Sequence, residues 1–367
     1  MKIAIVVPGG VDRSGTHRVI PCLLWLIERL VRAGDDVHVF ALQQEPRPGA
    51  WQLLGARVYN AGARPRRLRA LGALLAEHRR GRFDVVHAFW AGAPGSAAAA
   101  FARITGVPLV VSLPGGDLVG LPDIDYGVQL TRRGRLWTRF TLSAAAQVTV
   151  RSEWMRKEAA AQGVSAACMP IGVALDRWPS RPPRPRDVTR PLRLLHVANL
   201  NLVKDQETLL RAMRELRDRG IAFHLDVIGL DTLGGAVQRR CSTLGLDDCV
   251  VFHGFLPHAE MRRWFEEADL LVMSSRHETG PVATIEAGIV SVPTVGTAVG
   301  LIADWAPGAA IAVPVGDSHA LAAAIERCAR DEAARMRLAK GARDAALRQD
   351  ADFTTAQFRR LYARLSA

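Results

Sequence analysis

Two carboxylates stand eight residues apart in the run Arg276-His277-Glu278-Thr279-Gly280-Pro281-Val282-Ala283-Thr284-Ile285-Glu286, on either side of a Gly-Pro pair. The apolar stretch before them, Ala268–Met273, reads as a buried strand. After Pro281 the pattern is helical, and proline at a first helical position costs nothing because that N–H has no helical partner. Glu278 therefore falls in the loop after a strand, and Glu286 about a turn and a half into the helix. A helix start bordered by Gly280, Pro281 and Val282 offers free backbone amides to an anion, with one acid on each side. Sugar hydroxyls, a diphosphate and ribose hydroxyls would meet acid, amides and acid in that order. A helix N-terminus merely decorated with acids is the competing reading.

Other strand ends carry candidate chemistry. The run Ala198-Asn199-Leu200-Asn201-Leu202-Val203-Lys204 follows a strand, and an ammonium there can form a charge-assisted contact with a phosphate. Lys is rare in this chain, which makes Lys204 harder to ascribe to composition. Pro8-Gly9-Gly10-Val11-Asp12-Arg13-Ser14-Gly15-Thr16 follows the first strand. Gly9, Gly10 and Gly15 would let backbone approach a phosphate, and Ser14 or Thr16 could cap the next helix. The spacing does not match G-x-G-x-x-G, so a dinucleotide site is not implied. His87 ends a third strand, where an acceptor-side role and a satisfied core histidine are both open. Asp117, in Ser112-Leu113-Pro114-Gly115-Gly116-Asp117, is either a reacting-site group or a turn-stabilising Asp. Asp123 and Asp125 form an Asp-x-Asp triplet in a loop rather than at a strand end, so no metal is expected there.

The Glu278–Glu286 run resembles the acid–seven–acid motif of retaining glycosyltransferases of the family 4 type. The resemblance covers nearly the whole chain. It implies a GT-B fold of two Rossmann-like domains, with Glu278 at the donor sugar and Glu286 at the nucleotide ribose. It further implies that Lys204 meets the donor diphosphate, that Gly9, Gly10 and Gly15 face it, and that His87 lies near the acceptor. Family members commonly carry a His where Pro114 stands and an Arg where Asn199 stands. Asn199 remains a donor-binding candidate. Asp117 becomes the nearest substitute for the missing His, so Glu278, Lys204 and Asp117 form the candidate catalytic set.

These residues need two sheets to position them. Strand-like and helix-like segments alternate throughout, as in α/β folds with parallel sheets. Strands are expected at Lys2–Val7, Asp36–Phe40, Arg57–Tyr59, Asp84–His87, Leu109–Ser112 and Gln147–Val150, with helices at Thr16–Arg32, Arg67–Arg80 and Gln129–Ala144. The Pro- and Arg-rich run from Arg177 to Arg186 breaks the series. A second series follows, with strands at Leu192–Val197, His224–Ile228, Val250–Phe252, Leu270–Met273, Thr294–Val295 and Ile311–Val313. The expected division is an N-terminal acceptor-side domain (1–176), a linker (177–191) and a nucleotide-sugar-binding domain (192–350). The resemblance implies that a last helix (351–367) returns to the first domain. Such folds bind ligands at the carboxyl ends of their strands, here in a cleft between the domains.

A chain of 367 residues is natural for two domains. Its five cysteines are scattered without a Cys-x-x-Cys, so neither a disulfide framework nor a zinc site is implied. The N-terminus reads as a strand rather than a signal peptide, which makes a cytoplasmic location the expectation. The net charge of +12 is concentrated early, with 22 basic against 13 acidic residues before Arg177. Arg64, Arg66, Arg67, Arg69, Arg132, Arg133 and Arg135 could meet an anionic membrane surface or a phosphorylated acceptor. An abundance of Arg throughout the chain is the plainer explanation. No aromatic-interleaved basic motif suggests nucleic acid. The expected partners are a nucleoside diphosphate sugar and an acceptor of unspecified kind, with no separate cofactor. Retaining glycosyl transfer leads. A catalytically silent sugar-nucleotide-binding protein or partner subunit is the alternative from another class, and a nucleotide-sugar epimerase is a further enzymic one.

Overall fold

The computed structural model describes all residues, 1–367, and divides into two units: Met1–Gly172 with Ala351–Ala367, and Val173–Asp350. In the first unit the elements run β1 (Lys2–Val7), α1 (Pro21–Arg32), β2 (Asp36–Ala41), β3 (Gly49–Leu53), β4 (Ala56–Asn60), α2 (Arg66–Arg80), β5 (Val85–Phe89), α3 (Ala93–Thr105), β6 (Leu109–Ser112), α4 (Arg132–Leu142), β7 (Gln147–Val150), α5 (Glu153–Ala161) and β8 (Ala167–Cys168). The eight strands form one sheet in the order β3-β4-β2-β1-β5-β6-β7-β8. Every pair is parallel except β3–β4, a hairpin closed through Leu53 and Ala56.

The second unit runs β9 (Leu192–Val197), α6 (Gln206–Asp218), β10 (Phe223–Ile228), α7 (Ala236–Thr243), β11 (Val250–Gly254), α8 (His258–Glu267), β12 (Leu270–Met273), α9 (Val282–Ile289), β13 (Thr294–Thr297), α10 (Gly300–Trp305), β14 (Ala310–Val313), α11 (Ser318–Arg330) and α12 (Glu332–Leu347). Its six strands are all parallel, in the order β11-β10-β9-β12-β13-β14. The chain winds from β9 toward β11 on one side and from β12 toward β14 on the other. The winding reverses between β9 and β12, and the carboxyl ends of such strands are where doubly wound sheets bind ligands.

Each unit has its own core. Phe40, Leu74, Phe83, Phe101 and Leu109 pack in the first, and Leu194, Leu209, Met213, Leu225 and Ile325 in the second. In α6 the apolar residues Leu209, Met213 and Leu216 recur at helical spacing and are buried. By contrast α9 is buried nearly all round, from Ala283 to Ile289, which marks a central helix. The last helix, α13 (Ala351–Ser366), belongs to the first unit. Its Phe358 and Tyr362 are buried against His87, and Asp352 pairs with Arg29 of α1 at 2.8 Å.

Several boundaries differ from the sequence expectation. The first helix begins at Pro21, not Thr16, because the Asp12 carboxylate takes the Ser14 amide and hydroxyl (3.0 and 2.8 Å) and folds 12–17 into a turn. Ile20 precedes the helix without a side-chain cap, so neither Ser14 nor Thr16 caps it. Pro281 is the cap residue of α9 and not its first helical residue. The segment expected as a linker packs into the second unit. Trp178 is buried there, Arg181 N–H donates to the Ile289 carbonyl at 3.1 Å, and Arg186 donates to the Ala329 carbonyl at 2.6 Å.

Candidate active site

At the reversal between β9 and β12 the two loops meet. Leaving β9, the chain makes a short turn capped by Asn201, whose side chain accepts the Lys204 amide at 3.2 Å. Leaving β12, Ser274 donates its hydroxyl to the Lys204 carbonyl at 2.8 Å, and the Arg276 amide donates to the Val203 carbonyl at 2.8 Å. These bonds bring the Lys204 ammonium onto Oε1 of Glu278, which also accepts from the Ser275 hydroxyl at 2.8 Å. Lys204 is about a quarter exposed and Glu278 about a tenth. Water therefore reaches the pair but screens it incompletely.

The surroundings hold this pair in place. Thr297, ending β13, donates to the Ser275 carbonyl at 2.6 Å. Gly300, at φ +55°, lies so close that a Cβ there would meet the Glu278 carbonyl oxygen at 2.7 Å, so no larger residue fits without moving the loop. Beneath the Lys204 loop His196 is fully buried, its Nδ1 2.8 Å from the Val272 carbonyl and its Nε2 facing Gln206 at 3.3 Å. Burial lowers His196 to about 4, so it is a neutral, structural histidine. His277 is buried beside Glu278; burial lowers its pKa, and the carboxylate partly offsets that.

Gly280 and Pro281 lead into α9, whose first amides, at Val282 and Ala283, have no carbonyl of their own helix to bond. Glu286 lies a turn further on, its side chain about 6% exposed, with Oε1 2.6 Å from Nε2 of His258. Asn199 has a structural contact: its Oδ1 accepts the Leu230 amide at 3.1 Å and ties the loops after β9 and β10 together.

In the first unit the geometry reassigns several candidates. The amides of Gly10 and Val11 both donate to Oε1 of Gln44 (2.7 and 3.1 Å), which takes the groups a phosphate would use. The Gly15 amide donates to the Asp12 carbonyl at 3.0 Å. Gly10, at φ +84°, is required by packing, since a Cβ there would lie 2.5 Å from the Ile20 side chain. Gly9 packs against Gln43 and Gln44. Of the two readings of His87, burial selects the core one. Both ring nitrogens are occupied, by Tyr362 at 2.6 Å and Ser112 at 2.7 Å, and burial lowers its pKa to about 3. It joins β5, β6 and α13.

Asp117 is 1% exposed and accepts the Ala91 amide at 2.8 Å, which is the loop-holding role. Its Oδ2 is buried without a partner. Burial pushes the carboxyl from 3.8 up to about 6, against the pull of the Ala91 amide. Between those values the folded chain holds a proton that the unfolded chain releases. The resulting stabilisation is complete below 3.8 and is lost as pH rises through about 6, for a total of about 3 kcal/mol. Asp117→Asn is expected to flatten this slope. Denaturant melts of the first unit should show variant and wild type close together at about pH 4 and the variant more stable at about pH 8. Parallel curves would rule out a raised Asp117.

No group of three or more His, Cys, Asp or Glu side chains converges to hold a metal, and no helix is long and apolar enough to cross a membrane. Sequence reasoning did not find Ser275, Gly300, Trp178, Gln44 or His258. Ser275 had a local signal, three residues before Glu278; the others act across distances in sequence that no spacing rule reaches.

Comparison with known proteins accords with this layout. A family model described as glycosyl transferases group 1 matches residues 191–331, and one described as glycosyl transferase 4-like domain matches residues 19–172. The amylovoran biosynthesis glycosyltransferase AmsK of Erwinia amylovora is 32% identical over 158 residues, which are 39% of this chain and 37% of that protein. The chain thus matches little more than a third of that relative's length. Among solved structures, sucrose-phosphate synthase of Thermosynechococcus elongatus superposes with a TM-score of 0.84 at 20% identity, covering 100% of this chain and 99% of that one. HepE of Anabaena, solved with UDP and glucose, superposes with a TM-score of 0.76 at 18% identity, covering 99% and 100%. With the two models spanning most of its length, the chain belongs to the family 4 glycosyltransferases and has their GT-B fold.

Proposed function

We propose that this protein transfers a sugar from a nucleoside diphosphate sugar to a glycan, lipid or small-molecule acceptor, with retention of anomeric configuration. The observation that carries this reading is the Lys204–Glu278 pair at the β9/β12 reversal, beside the start of α9. In this reading Lys204 leaves Glu278 for the donor diphosphate, the first amides of α9 bond the same phosphates, Glu278 turns to the sugar hydroxyls, and Glu286 takes the ribose. As the bond from the anomeric carbon to the phosphate oxygen breaks, charge grows on the diphosphate, where the ammonium and amides stabilise it. The freed phosphate oxygen accepts the acceptor's proton while the new glycosidic bond forms on the same face. No enzymic base is needed. The complex of HepE with UDP and glucose and the polysaccharide role in the name of AmsK support a sugar nucleotide and a glycan product.

A screen of nucleotide sugars against glycan and lipid acceptors tests this reading through release of nucleoside diphosphate and a glycosylated product. Tight donor binding without turnover for any pair, together with activity gained in Pro114→His, would instead identify a silent binder. Interconverted donor sugars without transfer would identify an epimerase. Transfer is expected to survive chelation. Loss of activity with EDTA that magnesium or manganese restores would bring Asp123 and Asp125 back as metal ligands.

The reading extends to where the protein works. The starts of α2 and α4 share a basic surface. Arg67 lies over the Trp137 ring at 4.4 Å, and its pKa is lowered by burial and then by Arg66 and Arg133 nearby. Neither helix has an acid in its first turn, and Leu68 and Leu136 are 69% and 66% exposed. Cations around exposed leucines suit an anionic lipid surface. Sedimentation with phosphatidylglycerol vesicles should exceed that with phosphatidylcholine vesicles and fall with added salt. Equal binding to both would remove this part of the reading.

A further inference from the structure

Glu286 is held by the protein's own groups at both its side chain and its main chain. Its Oε1 lies 2.6 Å from Nε2 of His258, the first residue of α8. Its backbone carbonyl accepts the Trp178 indole N–H at 3.1 Å. The Trp178 ring lies against the His258 imidazole, with centroids 5.1 Å apart and planes 34° from parallel, and meets Phe265 edge-on at 5.5 Å. Trp178 is 2% exposed, so it is a fixed wall against which the imidazole rests. One aromatic residue thus holds both the main chain at 286 and the ring that bonds the side chain at 286.

A carboxylate this deeply buried keeps its place only where its oxygens are bonded. It offers about four acceptor positions over its two oxygens, and a neutral imidazole N–H can fill one. Here His258 fills one of them, on Oε1. An ordered acceptor costs less to engage than one that must be immobilised when the ligand binds.

We propose that His258, backed by Trp178, is the positioning residue of this carboxylate: it fixes Glu286 by Oε1 and leaves Oε2 to accept the ribose hydroxyls of a nucleotide. This rests on the reading of Glu286 as the ribose acid. It goes further in naming the residue that sets how strongly the site demands a ribose over a sugar without those hydroxyls. His258 touches no substrate. Its contribution appears only when ribose hydroxyls are there to be bonded, which separates it from a residue that merely supports α8.

The test is a calorimetric comparison of a ribonucleotide with its 2′,3′-dideoxy analogue. The probe is whichever of uridine, guanosine, adenosine or cytidine diphosphate binds the wild type most tightly. The wild type should prefer the ribonucleotide by at least about tenfold, and Glu286→Ala should abolish that preference. His258→Phe keeps a ring against Trp178 and removes the N–H. It should lower the preference about fivefold or more, acting on the ribonucleotide alone, while His258→Gln, whose amide can still donate, restores most of it. A preference that survives His258→Phe unchanged, or an equal loss for both probes, overturns the proposal while leaving the ribose reading intact. If Glu286→Ala keeps the preference, or the wild type has none, the ribose reading fails and the proposal falls with it. Should His258→Phe fold poorly, His258→Asn removes the reach with a smaller side chain and is held to the same outcomes.

Discussion

Replacing Lys204 with alanine is expected to lower the single-turnover rate of sugar transfer about 10²- to 10³-fold, the usual cost of removing one preorganised donor where charge develops. The ammonium should contribute more as the anomeric bond breaks than in the ground state, so the rate should fall further than donor affinity. The contact between Lys204 and Glu278 adds a second expectation. Lys204 offsets the charge of Glu278, which also accepts the Ser275 hydroxyl. Alanine at 204 leaves that carboxylate facing a diphosphate, and the like charges repel. The double variant Lys204→Ala with Glu278→Gln should therefore regain part of the lost affinity while staying slow. A Lys204→Ala enzyme that binds donor weakly but reacts at the wild-type rate once saturated would show that the ammonium serves binding alone.

Glu286→Ala is expected to weaken donor binding by about 1.5–3 kcal/mol, or roughly ten- to a hundredfold, the range for a hydrogen bond to a charged group. The chemical step should change little once donor saturates, because the ribose contact is made equally in ground and transition states. Calorimetry on the folded variant, with circular dichroism to verify its fold, gives the comparison. Unchanged donor affinity would take the ribose role away from Glu286.

How much of this was legible before the structure depends on where each interaction lies along the chain. The strands β1, β6, β7, β9 and β12 have the bounds their apolar runs indicate. The strand β3 escaped notice because Gly-Ala-Trp-Gln-Leu has no β-branched residue and is half exposed, and β8 because two residues carry no period. The start of α1 was marked by Pro21, but the Ser and Thr upstream offered rival caps. Lys204 and Glu278 could be picked out singly as polar residues at the ends of apolar strands. Their contact depends on β9 and β12 being neighbours, which the order of winding decides. The glycines at 9 and 10 suggested a phosphate loop because glycine spacing is visible, whereas the Gln44 side chain that takes those amides lies 34 residues away. His87 had two open readings, and only the arrival of Tyr362 from α13 decides between them.

A crystal structure with the intact nucleotide sugar, or with the nucleoside diphosphate that binds most tightly, addresses the central claim most directly. Lys204 Nζ should have left Glu278 and lie within hydrogen-bond distance of a diphosphate oxygen, with the Val282 and Ala283 amides on the same phosphates and the ribose hydroxyls on Glu286. A nucleotide bound away from the β9/β12 strand ends, or one bound there with Lys204 still on Glu278 and no phosphate at the start of α9, would contradict it.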